Sequence, residues 1–320
     1  MSTRYLLRRV VQVVPAVAGI VLLAFIVIHT APGDPVLALA GEYGDAAYYA
    51  FMRQKFGLDR SLPEQLLAYA TRLLHGDLGL SYVHGRPVVD VVSERLPATL
   101  LLTTTALMLS SAGGVALGVL AARRADRPAD LVLRTGALLA HATPSFWLAQ
   151  IAAITLALGT GLFPVQGFTD ARRAWTGGRY LLDVLHHLVL PALVLAAGEL
   201  ALTTRLTRAG VLEGLATDYA RTARAKGLPD SAVVRHALRN AMLPLVTVIG
   251  GRVGTIVTGA VLVETVFAWP GIGQLMLSSV QTRDLPVLLG MFLLVSVAVI
   301  VVNLMTDLAY AWLDPRVRYE

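Results

Sequence analysis

Residues 285–312 read LPVLLGMFLLVSVAVIVVNLMTDLAYAW, a run of apolar side chains whose one formal charge is Asp307. As a helix rising about 1.5 Å per residue, such a run outreaches the roughly 30 Å hydrocarbon core of a bilayer. It has neither the strict alternation of a half-buried strand nor the polar face of a surface helix. The same signature recurs five times upstream, at roughly 10–30, 100–122, 131–158, 188–204 and 243–267. The composition agrees: 56 % of the 320 residues are apolar and 15 % charged, with a mean hydropathy of +0.65. An ordinary soluble domain is about 45–50 % apolar and about 25 % charged. The sequence therefore predicts an all-α membrane protein with six transmembrane helices.

The basic residues orient it. With the N-terminus inside, the inner segments carry sixteen Lys and Arg in about 60 residues, and the outer ones carry ten in about 115. Basic residues favour the cytoplasmic side, so both termini are expected there. The first run, preceded by Arg4, Arg8 and Arg9, is longer than the apolar core of a cleaved signal peptide. It ends at Ala31-Pro32-Gly33-Asp34-Pro35 without a small-residue cleavage pattern and reads as a retained anchor.

Two stretches lie between spans. An outer segment, roughly 31–98, is nearly charge-balanced, with eight acidic and six basic residues. The expected division is therefore 1–94, the first span with this outer segment, and 95–320, a five-helix core. An inner segment, about 205–242, is the most charged cytoplasmic stretch. Within it Asp218 to Gly227 reads as a short helix closed by glycine, and Asp230 or Ser231 can cap a second helix. There Val233, Val234, Ala237, Leu238 and Ala241 share one face, and Arg235, His236, Arg239 and Asn240 the other. Leu243-Pro244 is expected to end that helix. Physics alone leaves two uses open: a rigid docking knob, or an interfacial helix against lipid headgroups.

Several chemistries lack their residues. The chain has no cysteine, and neither Lys55 nor Lys226 sits in a phosphate-binding glycine loop. No H-E-x-x-H or G-x-S-x-G motif occurs. His186 and His187 are adjacent, about 100° apart on a helix, a poor geometry for one metal ion, and read as interfacial. No metal site, catalytic residue or nucleic-acid partner is expected. Charges inside apolar runs are costly and mark candidate functional positions. Glu199, Arg252 and Glu264 are the candidate translocation path, with Asp307 close to the inner interface. The G-x-x-x-G pairs Gly114/Gly118 and Gly250/Gly254 allow close helix approach.

Tyr219 to Pro244 (YARTARAKGLPDSAVVRHALRNAMLP) resembles the EAA loop of ABC-importer permeases, in the form of the dipeptide/oligopeptide/nickel type. Arg221-Thr222-Ala223 occupy the E-A-A positions, so the acidic residue is missing, and the interval from Gly227 to Leu243-Pro244 is longer than in the general motif. The likeness covers nearly the whole chain. It includes Arg4 to Arg9 with Ala31 to Pro35, Gly57-Leu58-Asp59, Gly76-Asp77-Leu78-Gly79 and Leu96-Pro97-Ala98-Thr99. It continues through Pro144-Ser145-Phe146-Trp147, Glu264 to Gly271 and Asp314-Pro315-Arg316.

The resemblance implies the first transmembrane subunit of a type I ABC importer in a bacterial or archaeal cytoplasmic membrane. Such a subunit is non-catalytic and forms half of a pathway for di- or oligopeptides. Nickel chelates, glutathione or another small solute are the alternative within the family; a stand-alone secondary transporter is the rival outside it. The implied partners are a second permease, two ATPases that bind ATP and Mg, an external binding protein and membrane lipid. The implied coupling loop comprises Asp218, Tyr219, Arg221, Thr222, Ala223, Arg224, Lys226, Gly227, Arg235, Leu243 and Pro244.

Overall fold

The computed structural model describes residues 3–30, 36 and 45–313, and all named elements there are helices. The motif residues 31–35 and 314–316 lie outside the described residues, as do the side chains of Leu243 and Asp307. The helices are α1 (Thr3–Thr30), α2 (Ala46–Phe56), α3 (Leu62–Leu74), α4 (Val88–Arg123), α5 (Pro128–Ala142) and α6 (Ser145–Ala152). A π-helical stretch (Ala153–Gly159) continues α6. Then follow α7 (Gly178–Leu215), α8 (Asp218–Ala225), α9 (Asp230–Gly251), α10 (Val253–Val266), α11 (Ile272–Thr282) and α12 (Leu285–Leu313). Each of the six apolar runs falls on these helices. By length and composition α4, α7 and α12 can each cross a membrane singly, as can two bent pairs taken as spans.

Two compact units emerge. The first is formed mainly by Met1–Pro97 and Gly271–Val301. Short helices of its outer segment start on local signals. Asp45 caps α2 by accepting from the Tyr48 amide at 2.7 Å. Ser61 and Glu64 cap α3 reciprocally, with the Ser61 amide 3.0 Å from Glu64 Oε2. Val88, Val91 and Val92 bury against Ile272, Leu275, Val287 and Met291. Phe25, Tyr69 and Leu289 form a smaller cluster. Asp284, 1 % exposed, accepts from Ser81 Oγ at 2.5 Å and from the Tyr82 and Val83 amides at 3.0 and 3.2 Å. One carboxylate thus pins the turn that leads into α4.

The second unit, Ala98–Pro270 with Val302–Arg318, holds the larger core. Leu102, Ala106, Ala149, Leu188, Leu195, Ile256, Ala260, Phe267 and Trp269 meet there. Its small side chains permit backbone contact. A Cβ on Gly114 would come within 2.5 Å of Thr203 Cβ, and one on Gly118 within 2.5 Å of Thr207 Cβ and 2.7 Å of the Thr204 carbonyl oxygen. The Gly114/Gly118 pair is therefore the seam between α4 and α7. Gly250 and Gly254 fall on either side of the break between α9 and α10, so they share no regular helix face.

Four expectations need correction. The run 131–158 is not one straight span: α5 and the α6 stretch meet at 104°. Pro144 disfavours helical backbone at the residue before it, and Thr143 is extended (φ −80°, ψ 126°). Helix α7 does not end near Thr204 but continues to Leu215, carrying Arg205 and Arg208 with it. Neither Asp230 nor Ser231 caps the second loop helix through its side chain, because Pro229 stands at the cap and Asp230 is already the first helical residue. Finally, Leu243-Pro244 does not end α9. The helix runs through Pro244 with a bend of 50° and breaks only at Arg252. A proline inside a helix forfeits one hydrogen bond and crowds the carbonyl four residues earlier, which bends the helix without stopping it.

Candidate functional site

From Asp218 onward the charged inner stretch folds as expected into two helices around a glycine. Gly227 adopts φ +77°, a left-handed conformation that suits glycine. Its amide bonds the Arg224 carbonyl at 2.9 Å, and the Leu228 amide bonds the Ala223 carbonyl at 3.1 Å. These two bonds close α8 as a Schellman turn. Helix α9 then packs back through the predicted face. Val233 and Ala237 are 0 % exposed and Ala241 6 %, whereas Arg235, His236, Arg239 and Asn240 stay exposed.

That face lies on α7. A Cβ at Gly210 would approach Ala241 Cβ to 2.8 Å, and one at Gly214 would approach Ala237 Cβ to 2.9 Å and Tyr219 Oη to 2.6 Å. Gly210 and Gly214 have the same G-x-x-x-G spacing as Gly114/Gly118, the one signal in the sequence that points to them. The loop is thus braced on a long helix and is not free to swing alone. Its outer surface is basic and concave. A cavity of about 640 Å³ is lined by Tyr219, Thr222, Ala223, Lys226, Leu228, His236, Arg239 and Asn240. Asp218 and Arg221 pair at 3.2 Å, almost fully exposed, and Arg224 lies 3.9 Å from Asp230. Exposed pairs of this kind contribute little stability.

A second group sits within the apolar runs. Arg252, at the break between α9 and α10, brings Nη1 to 3.0 Å from Oε2 of Glu199 on α7. That oxygen is buried and receives no hydrogen bond from the described residues, so its contact with Arg252 is one of charge without a directed N–H. Beside it, His141 Nδ1 meets the Gly198 carbonyl at 2.5 Å. Glu264 stands apart from this pair. It is 0 % exposed and accepts from Thr99 Oγ1 at 2.6 Å, while nearby Trp269 donates to the Ala98 carbonyl at 2.8 Å. The structure thus brings Glu199 and Arg252 together and places Glu264 in the core.

A further pair was not legible in advance. Asp130, 2 % exposed at the start of α5, receives Arg208 of α7 in two parallel bonds, Nε to Oδ1 at 2.8 Å and Nη2 to Oδ2 at 2.6 Å. The partners lie 78 residues apart, and no local pattern announces them. The adjacent histidines diverge, as their spacing requires: His186 Nε2 meets the Leu162 carbonyl and His187 Nδ1 the Asp183 carbonyl, both at 2.8 Å.

Comparison with known proteins covers both parts of the chain. Residues 114–319 match the family model of binding-protein-dependent transport system inner membrane components. Residues 2–103 match the model of the N-terminal part of such membrane components. The chain is 40 % identical to the dipeptide transport system permease protein DppB of Escherichia coli, over 99 % of both chains. It is 36 % identical to the oligopeptide transport system permease protein AppB of Bacillus subtilis, over 98 % of this chain and 99 % of that protein. It is also 37 % identical to the glutathione transport system permease protein GsiC of Escherichia coli, over 99 % of both.

Proposed function

Because this chain belongs to the family of binding-protein-dependent transport system inner membrane components, we propose that it forms half of a peptide pathway in an ATP-driven importer. The carrying observation is the braced loop: two helices closed at Gly227, seated on α7 through Gly210 and Gly214, with basic residues facing outward. A transport subunit without its own nucleotide site needs a rigid element through which a partner's motion reaches the spans. Asp218, Tyr219, Arg221, Thr222, Ala223, Arg224, Lys226, Gly227 and Arg235 lie on or beside that element, and Leu243 and Pro244 lie at the bend of α9 beyond it.

In this reading two ATPases bind ATP and Mg and close on each other, one of them gripping the concave basic face. Their closure pushes α8 and α9, and the push enters α7 across the small-residue seam. A second homologous permease completes the pathway, and an external binding protein delivers the solute to the outer mouth. The outer segment 31–98 serves that delivery. Glu199 and Arg252 are charged positions of the path, and Glu264 holds the α4–α10 packing from which the path moves. Peptides are favoured as cargo by the dipeptide and oligopeptide relatives, and the glutathione relative supports glutathione as the second reading.

Affinity purification from native membranes in mild detergent tests the assembly. Recovery of a second permease with two ATPases is the expected result. The neighbouring binding protein should retain a short peptide when its ligand is extracted. A chain recovered alone that transports in liposomes without ATP would be a secondary transporter instead.

A further inference from the structure

Two ion pairs of the second unit differ in kind. Arg208 donates two parallel hydrogen bonds to Asp130, which is how a permanent structural pair satisfies itself. Glu199 and Arg252 meet at 3.0 Å, yet the contacting carboxylate oxygen is buried without a hydrogen bond from the described residues. Arg252 keeps 29 % of its side chain exposed and Glu199 13 %, so a small solute reaches the pair chiefly from the guanidinium side. Both belong to apolar runs, where a charge pair without directed bonds is costly unless it is used. Arg252 also stands at a helix break, the kind of place where spanning helices build midplane binding sites.

A short peptide with free ends carries the two charges that complement this pair. We propose that Glu199 and Arg252 are a zwitterion-recognition site: the Glu199 carboxylate takes the peptide ammonium and the Arg252 guanidinium takes the peptide carboxylate. This rests on the reading of the chain as a peptide permease. The exchange replaces one ion pair by two, so no buried charge is left uncompensated once the ligand is seated. Seating the ligand needs the partners to part, because a peptide spans up to about 3.5 Å per residue. The break at Arg252 is the place where that separation can be taken up, since α9 and α10 are already discontinuous there. Short peptides are therefore held at both ends and longer ones at one end at a time.

The test uses the complete importer with its ATPases in lipid nanodiscs, without the binding protein, and equilibrium binding of radiolabelled alanyl-phenylalanine. The probes are the free dipeptide, its N-acetyl form and its C-terminal amide. The wild type is expected to prefer the free dipeptide about tenfold over each capped form. Glu199→Gln should erase only the discrimination against N-acetylation, and Arg252→Gln only that against amidation. The double variant Glu199→Gln/Arg252→Gln removes both charges together and strands neither, and it should bind all three forms alike. Variants that keep wild-type discrimination would overturn the proposal. So would a wild type that shows none while its vesicles, supplied with binding protein, take up the dipeptide. Vesicles that take up no peptide at all would overturn the peptide reading itself, and this proposal with it.

Discussion

Arg208 reaches across the second unit to a carboxylate that has almost no contact with solvent. Removing one partner of such a pair strands the other, so Arg208→Ala should cost about 3–5 kcal/mol in thermal unfolding in detergent. Asp130→Leu with Arg208→Met should recover most of that loss. Tyr69 presents the opposite case. Its buried hydroxyl makes no hydrogen bond among the described residues, so Tyr69→Phe should change stability by less than about 1 kcal/mol or raise it slightly. Burial pushes the hydroxyls of Tyr69 and Tyr82 from near 10 up to about 12, with Arg72 pulling both the other way and Asp284 adding to the rise at Tyr82. A folded-state value above the unfolded one stabilises fully below pH 10 and loses that contribution as pH climbs through 12. In an ultraviolet phenolate titration, Tyr82→Phe should remove part of the late-titrating component.

At the scale of elements, the loop helices were legible because their signals are local. Gly227 stands where a left-handed cap is needed, and Val233, Ala237 and Ala241 repeat at the spacing of a buried helix face. Gly227→Pro is expected to abolish coupling between ATP hydrolysis and uptake, because proline cannot adopt φ +77°. Arg224→Glu should weaken coupling by changing the charge of the proposed docking face. Both variants should insert into the membrane at wild-type levels, as a surface-biotinylation assay would register. What stayed hidden was the geometry of the spans. Hydropathy runs unbroken through Pro144, so the composition of 131–158 conceals a 104° turn. Arg205 and Arg208 look like loop residues on charge alone, yet α7 carries them because Arg208 finds Asp130 from another helix. Pro244 reads as a terminator, but the helix accommodates it by bending.

For the whole molecule, the net charge of +6 is concentrated where the cytoplasmic partner is expected to dock. Raising ionic strength from 0.1 M to 1 M shortens the Debye length from about 10 Å to about 3 Å. Association of the ATPases with the permease should therefore weaken steeply across that range, as measured by co-elution. The apolar faces of the spans behave differently: α5 leaves Leu131, Val132, Leu138 and Leu139 more than half exposed, an area for lipid or a second permease that salt does not weaken. Motion during transport must be sought away from the contact of α4 with α7. There Thr203 and Thr207 fill the places where Gly114 and Gly118 lack a side chain, and even a single methyl group would collide. Two helices so interlocked cannot slide by one residue, and in an importer that alternates between two openings they travel as a single strut. In this cysteine-free chain, a covalent tie engineered between them should leave the transport cycle running, whereas the same tie across a moving contact would arrest it.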